Sequence, residues 1–123
     1  MGTFRDPTLR VTLMPRDTNR HGTVFGGIIL SYIDLAGAIQ ARKSLGPLNF
    51  VTVALDHVVF HKPVFVGDLV SLYAETVKIG RTSVTTRVIV EAERMESGEV
   101  IRVTEADVVY VAVDEDWKPA PVR

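Results

Sequence analysis

The chain reads as an α+β fold in which one long central helix is wrapped by a curved, mostly antiparallel β-sheet. Two observations predict this. Residues 26 to about 43 form a helix-length stretch that is apolar on nearly its whole circumference, and a helix that is apolar all round is one that becomes buried. The long stretches after it alternate at period two instead, the spacing of strands with one covered face. With a single helix to cover four long strands, the sheet is expected to curl around it.

Residues 9–14 (LRVTLM) alternate apolar and polar and read as a short strand ended by Pro15, which has no N–H to give a ladder. A polar loop follows over residues 15–22. In the helix, GGIILSYIDLAGAIQARK, the residues Ile28, Ile29, Leu30, Tyr32, Ile33, Leu35, Ala36, Ala38 and Ile39 cover nearly the whole circumference, and Arg42 and Lys43 suit the negative end of the dipole. Gly46-Pro47 stops it. Strands are expected at residues 50–60 (FVTVALDHVVF), 69–79 (LVSLYAETVKI), 83–93 (SVTTRVIVEAE) and 100–113 (VIRVTEADVVYVAV), all rich in β-branched residues. Gly80-Arg81 and Ser97-Gly98 fall between alternating runs, as hairpin turns do.

The 123 residues are expected to form one domain spanning residues 1–123, long enough to bury about two-thirds of the surface of its unfolded chain. The absence of cysteine excludes a disulfide framework, a thiol nucleophile and a thiolate metal site, and points to the cytoplasm. The 14 basic and 15 acidic residues are interspersed and nearly cancel, so no nucleic-acid partner is expected. The N-terminal MGTFRDPTLR lacks the apolar core of a signal peptide and carries Asp6 where a myristoylation signal needs Ser or Thr. No stretch approaches the ~20 apolar residues of a membrane span, so no membrane association is expected. An apolar content of 46% in so short a chain points to a second surface to cover.

Asp34 carries the strongest chemical signal. It lies mid-helix between Ile33 and Leu35, where an unpartnered carboxylate is costly. Either it belongs to a narrow polar stripe with Ser31 and Gln40 or pairs with a buried donor, or it has a chemical task. Gly26-Gly27 open the same helix. Free N–H groups there stabilise negative charge, on a phosphate or on an oxyanion, although a glycine pair also makes a plain loop-to-helix junction. The lysine and glycine spacing of phosphate-loop and dinucleotide motifs is absent. Gly27 and Asp34 are about two turns apart, which sets the carboxylate on the glycine face but about 10 Å further along the axis. One helix does not easily aim both groups at one atom, so a site that uses both draws Asp34 from a neighbouring subunit.

His57 and His61 are four apart, a spacing that aligns on a helix but not on the strand expected there. With Pro63 close behind and no acidic partner patterned around them, no metal site is expected. His21 lies in the polar loop beside Asn19. Trp117 and the tail DWKPAPVR read as a surface strap, Met14 and Met95 as ordinary packing residues, and no Ser-His-Asp set has a recognisable elbow.

The stretch MPRDTNRHGTVFGGIILSYIDLAGAI resembles the acyl-CoA thioesterases of the hotdog fold, specifically the small bacterial type related to brain acyl-CoA hydrolase. Pro15, Asp17, Asn19, Gly22, Phe25-Gly26-Gly27 and Asp34 carry the likeness. HVVFHKPVFVGD is similar to the family's second block at Phe60, Pro63, Gly67 and Asp68, and GRTSV, residues 80–84, to its third. The resemblance covers residues 9–113. Many relatives carry Met in place of Leu30 and bulkier residues near Ile28 and Ile29, which leaves the preferred acyl chain open.

The resemblance implies the hotdog fold, with active sites at the interface of a dimer. By position it makes Asp34 the catalytic carboxylate, acting as general base on water or as nucleophile on the thioester carbonyl. Asn19 would help hold the water or the carbonyl, and the N–H of Gly26 or Gly27 would polarise the thioester oxygen and stabilise the tetrahedral oxyanion. Gly80, Arg81, Thr82 and Ser83 become candidates for the phosphates of coenzyme A, and Phe60 and Pro63 for the border of its pantetheine tunnel. A plain hairpin and plain core packing would account for the same residues.

The implied reaction is hydrolysis of acyl-CoA to free acid and coenzyme A. It needs no cofactor, coenzyme A being part of substrate and product. The implied assembly is a homo-oligomer, a dimer at minimum and a trimer of dimers by family likeness. Two rivals stand beside it. A non-catalytic acyl-CoA sensor on this fold normally carries a separate DNA-binding segment, for which the chain has no room. A hotdog dehydratase or hydratase normally pairs a histidine with a carboxylate at the central helix, and no histidine lies between Gly22 and Val53.

Overall fold

The computed structural model describes residues 6–123. Residues 1–5, part of the stretch read above for a targeting signal, lie outside the described residues. In chain order the elements are β1 (Leu9–Thr12), a 3-10 turn (Pro15–Asp17), α1 (Gly26–Leu45), β2 (Asn49–Phe60), β3 (Leu69–Ile79), β4 (Ser83–Glu93) and β5 (Val100–Val113). The strands form one sheet in the order β1-β3-β4-β5-β2, with every neighbouring pair antiparallel.

The period-two pattern decides which face meets the helix. β4 buries Val84, Thr86, Val88, Val90 and Ala92, and β5 buries Thr104, Ala106, Val108, Tyr110 and Ala112, each at every second position. These residues and the stripe Ile29, Ile33, Ala36, Gly37 and Ala41 of α1 make the core. A stripe at spacings of three and four is what one helix offers one surface.

Here the structure corrects an expectation. The helix is apolar all round, yet within one protomer it is covered along one side, leaving Leu35 47% and Ile39 39% exposed. One sheet reaches only one side of a helix, so the remaining apolar surface is free for another contact. β1 is also shorter than expected. Pairing ends where Thr12 meets Leu69, Leu13 turns into the core, and Asp17 caps the 3-10 turn by accepting the Met14 N–H at 2.9 Å.

β2 forms one edge of the sheet and has no fully buried residue, and its Val53, Val59 and Phe60 are exposed. Its register with β5 shifts twice, and in the second shift His57 takes a left-handed conformation (φ 56°), which histidine tolerates better than most residues.

The β2–β3 connection is fastened by an ion pair. Asp68, 2% exposed, accepts from Arg94 and from the Phe65 N–H at 2.9 Å. Arg94 also donates to the Pro63 carbonyl at 3.0 Å and lies 4.8 Å over the Phe65 ring. Met95, expected to be an ordinary packing residue, is mostly exposed, though its side chain rests against Gly67. At the other end the tail returns as a strap, with Val122 buried and its N–H donating to the Arg81 carbonyl, while Trp117 points outward. Among the described residues no helix is long and apolar enough to cross a membrane.

Candidate active site

The N-terminus of α1 opens into a cleft of about 280 Å³. Phe25, the N-cap, offers no side-chain acceptor, and the Gly26 and Gly27 N–H groups meet no backbone acceptor among the described residues. The chain is steered into this turn by two bonds, from the Val24 N–H to Val64 and from the Phe25 N–H to Asp17, both 2.8 Å. The cleft is lined by Gly26, Ile29, Phe60, Pro63 and Thr104, among others. Three sequence candidates, Gly26, Phe60 and Pro63, therefore share one wall. The absence of side chains matters locally, because a Cβ at Gly27 would fall 2.8 Å from the Phe25 ring and one at Gly26 3.6 Å from the Phe60 ring.

Asp34 lies two turns further on, outside that cleft, and is half-buried. Its Oδ1 accepts from the Thr52 hydroxyl at 2.7 Å and from the Tyr110 hydroxyl at 3.1 Å. The Tyr110 hydroxyl also lies 2.5 Å from the Asp34 backbone carbonyl. Thr52 and Tyr110 are register partners across β2 and β5, so the sheet presents both donors side by side. Oδ2 accepts no hydrogen bond among the described residues, which leaves one oxygen free while the other is clamped. Burial first, and then the Asp34 charge and its hydrogen bond, push the Tyr110 phenol well above the ordinary tyrosine range. It is a neutral donor at any physiological pH.

Gly37 makes this arrangement possible. A Cβ there would collide with the Tyr110 hydroxyl and lie 2.7 Å from Thr86 Oγ1. The polar-stripe and buried-donor readings of Asp34 thus resolve in favour of the donor, and neither of the two residues that do the clamping is singled out by sequence. Thr52 and Tyr110 looked like two more members of alternating strands; the usable signal was a tyrosine inside an otherwise aliphatic VVYVAV run.

Other candidates lie apart. Asn19 spends its side chain on its own loop, donating to Thr23 Oγ1 at 2.9 Å and accepting from the N–H groups of His21 and Thr23 at 2.8 and 3.3 Å. That loop joins the cleft wall through a bridge between Thr23 and Phe65. The Gly80, Arg81, Thr82 and Ser83 turn closes with the Gly80 N–H on the Ser83 carbonyl at 2.8 Å. Ser83 is level with Val111, whereas Phe60 is level with Thr104. The turn is therefore about 24 Å along the sheet from the cleft, and within one protomer the two do not meet.

The histidines do have acidic partners, contrary to expectation: His57 lies 3.6 Å from Asp107 and His61 3.6 Å from Glu105. The partners come from the neighbouring strand β5, so their spacing in sequence is uninformative. Among the described residues no group of three or more His, Cys, Asp and Glu side chains is placed to hold a metal ion.

Comparison with known proteins gives this geometry a family. The family model for the thioesterase superfamily matches residues 21–99. The chain is 43% identical over 117 residues to the acyl-CoA thioester hydrolase YciA of Salmonella typhimurium, covering 93% of this chain and 87% of that protein. It is similar in structure to Cj0915, a hexameric hotdog fold thioesterase of Campylobacter jejuni, with a TM-score of 0.91 at 48% identity over 97% of this chain and 91% of that one. It is also similar to HI0827, a hexameric broad specificity acyl-coenzyme A thioesterase solved as an aspartate-to-alanine mutant, with a TM-score of 0.89 at 37% identity over 96% and 86%. The fold of one helix laid along an antiparallel sheet is thus shared along nearly the entire length, and the chain belongs to the thioesterase superfamily, among its hotdog-fold acyl-CoA thioester hydrolases.

Proposed function

We propose that the chain hydrolyses acyl-CoA to a free carboxylic acid and coenzyme A, with Asp34 as the general base. The observation that supports this most directly is the clamp on Asp34, whose Oδ1 is held by Thr52 and Tyr110 while Oδ2 is left to work. Oδ2 takes a proton from water as the water oxygen attacks the thioester carbonyl carbon. The carbonyl electron pair moves onto oxygen, where the Gly26 and Gly27 N–H groups stabilise it. When the tetrahedral intermediate collapses the C–S bond breaks, and the coenzyme A thiolate takes up the proton. Coenzyme A is substrate and product, and the scheme draws on no cofactor or metal.

The two groups belong to different protomers in this reading. Asp34 of one protomer faces the helix N-terminus of its twin, which removes the axial separation that one helix imposes. The assembly is a dimer at minimum and a trimer of dimers in full. Three features support self-association: a 12-residue edge strand with exposed Val53, Val59 and Phe60, the uncovered Leu35 and Ile39, and the hexameric state of the solved relatives. An exposed, apolar sheet edge is a surface proteins normally pair or cover. In such an assembly a turn from another protomer, residues 80–83, can reach coenzyme A bound at the cleft, with the Arg81 guanidinium on its phosphates.

The test is thiol release from a panel of acyl-CoA esters, acetyl to palmitoyl, with Asn19→Ala beside the unmodified protein. Hydrolysis of at least one ester supports the reading, and no release above background from any of them ends it. Light scattering that shows a monomer at micromolar concentration would end the shared site.

A further inference from the structure

Two hydroxyls among the described residues are buried with no hydrogen-bond partner, Thr86 Oγ1 and Thr104 Oγ1. Thr86 lies under Gly37 in the packed centre of the sheet and forms no part of the wall of the cleft. Thr104 is different. It is fully buried, it forms part of the wall of the cleft, and it shares that wall with Gly26 at the open N-terminus of α1. The inward alternation of β5 turns its side chain to the helix, and a register shift at Val103 sets that face.

A buried hydroxyl without a partner is a cost to the fold, since valine has the same shape and no such debt. At this place the missing partner has a natural source in whatever fills the cleft. We propose that Thr104 is a further substrate-contacting residue, its hydroxyl donating to the acyl carbonyl oxygen beside the helix N–H groups. This rests on the thioesterase reading of the site. As the acyl end enters, the half-exposed Phe60 ring standing against Gly26 is the part of the wall that gives way, and the carbonyl oxygen then meets donors from two elements, α1 and β5. The bond strengthens as the oxygen gains negative charge, so its loss falls on kcat more than on KM.

The experiment compares Thr104→Val and Thr104→Ser with the unmodified protein, using thiol release from the ester it hydrolyses best and thermal melting of each. Thr104→Val is expected to keep or raise the melting temperature while kcat falls about tenfold or more with KM little changed. Thr104→Ser, which keeps the hydroxyl and loses a methyl, is expected to melt lower and stay within about threefold of the original kcat. Thr104→Val with unchanged kcat overturns the proposal, as does Thr104→Ser losing as much kcat as Thr104→Val. A lower melting temperature for Thr104→Val also overturns it, because the hydroxyl then has a partner inside the protein. An unmodified protein that hydrolyses no ester refutes the thioesterase reading itself, an outcome distinct from these.

Discussion

The Tyr110 hydroxyl spends its proton on Asp34 alone, lying 2.5 Å from its backbone carbonyl and 3.1 Å from Oδ1. A residue of β5 thereby fixes both the main chain and the side chain of the only acidic residue in α1. Tyr110→Phe keeps the packing and removes this restraint. In the proposed mechanism it should lower kcat about tenfold with KM within about twofold, since the loss is one of positioning. Steady-state kinetics on the preferred ester checks it, and an unchanged kcat would detach Tyr110 from the reaction.

The same contact has a pH signature. The Tyr110 phenol is pushed up by burial and by Asp34, so the folded protein keeps it protonated at a pH where the unfolded chain ionises it. Its contribution to stability is full below about pH 10, the range of an ordinary tyrosine, and is lost as the pH rises above that. Tyr110→Phe should therefore be less stable than the original at neutral pH, and the gap should narrow steadily above about pH 10. Urea unfolding at a series of alkaline pH values measures it, and a constant gap would contradict the assignment.

Gly37 is the residue that lets the helix approach. Gly37→Ala would drive its Cβ into the Tyr110 hydroxyl and against Thr86. Overpacking of this kind costs about 1–3 kcal/mol, and here it should also lower kcat by unseating the clamp. If Gly37→Ala gains the stability usual for alanine in a helix and keeps full activity, the close approach is not required.

Arg94 and Asp68 hold the loop that carries Pro63 and Val64 to the cleft. Arg94→Met leaves Asp68 buried without its counter-charge, a change that costs about 3 kcal/mol or more. Adding Asp68→Asn to it should recover part of the loss, because the stranded charge is gone. Chemical denaturation of the single and double variants decides the matter; a double variant less stable than Arg94→Met would contradict it.

Long periodic stretches were legible residue by residue. The observed β3, β4 and β5 have the bounds that alternation assigns, and α1 extends only two residues past Lys43. What eluded sequence depended on distant partners. The Tyr110–Asp34 contact joins positions 76 apart, and the pairing of His57 and His61 with Asp107 and Glu105 follows from a strand order that puts β5 beside β2. β1 stops at Thr12, two residues before its alternating pattern does, although Leu13 keeps the inward side that alternation with Leu9 and Val11 gives it. The all-apolar circumference predicts a helix buried by a sheet that curls around it, but the sheet covers only one side and leaves Leu35 and Ile39 exposed.

The most direct measurement is the rate of thiol release by Asp34→Ala beside the unmodified protein, together with calorimetric binding of coenzyme A to both. The account predicts that the substitution lowers kcat by about a hundredfold or more, with coenzyme A bound as tightly as before. An Asp34→Ala protein that folds, binds coenzyme A and hydrolyses acyl-CoA at the original rate would contradict it.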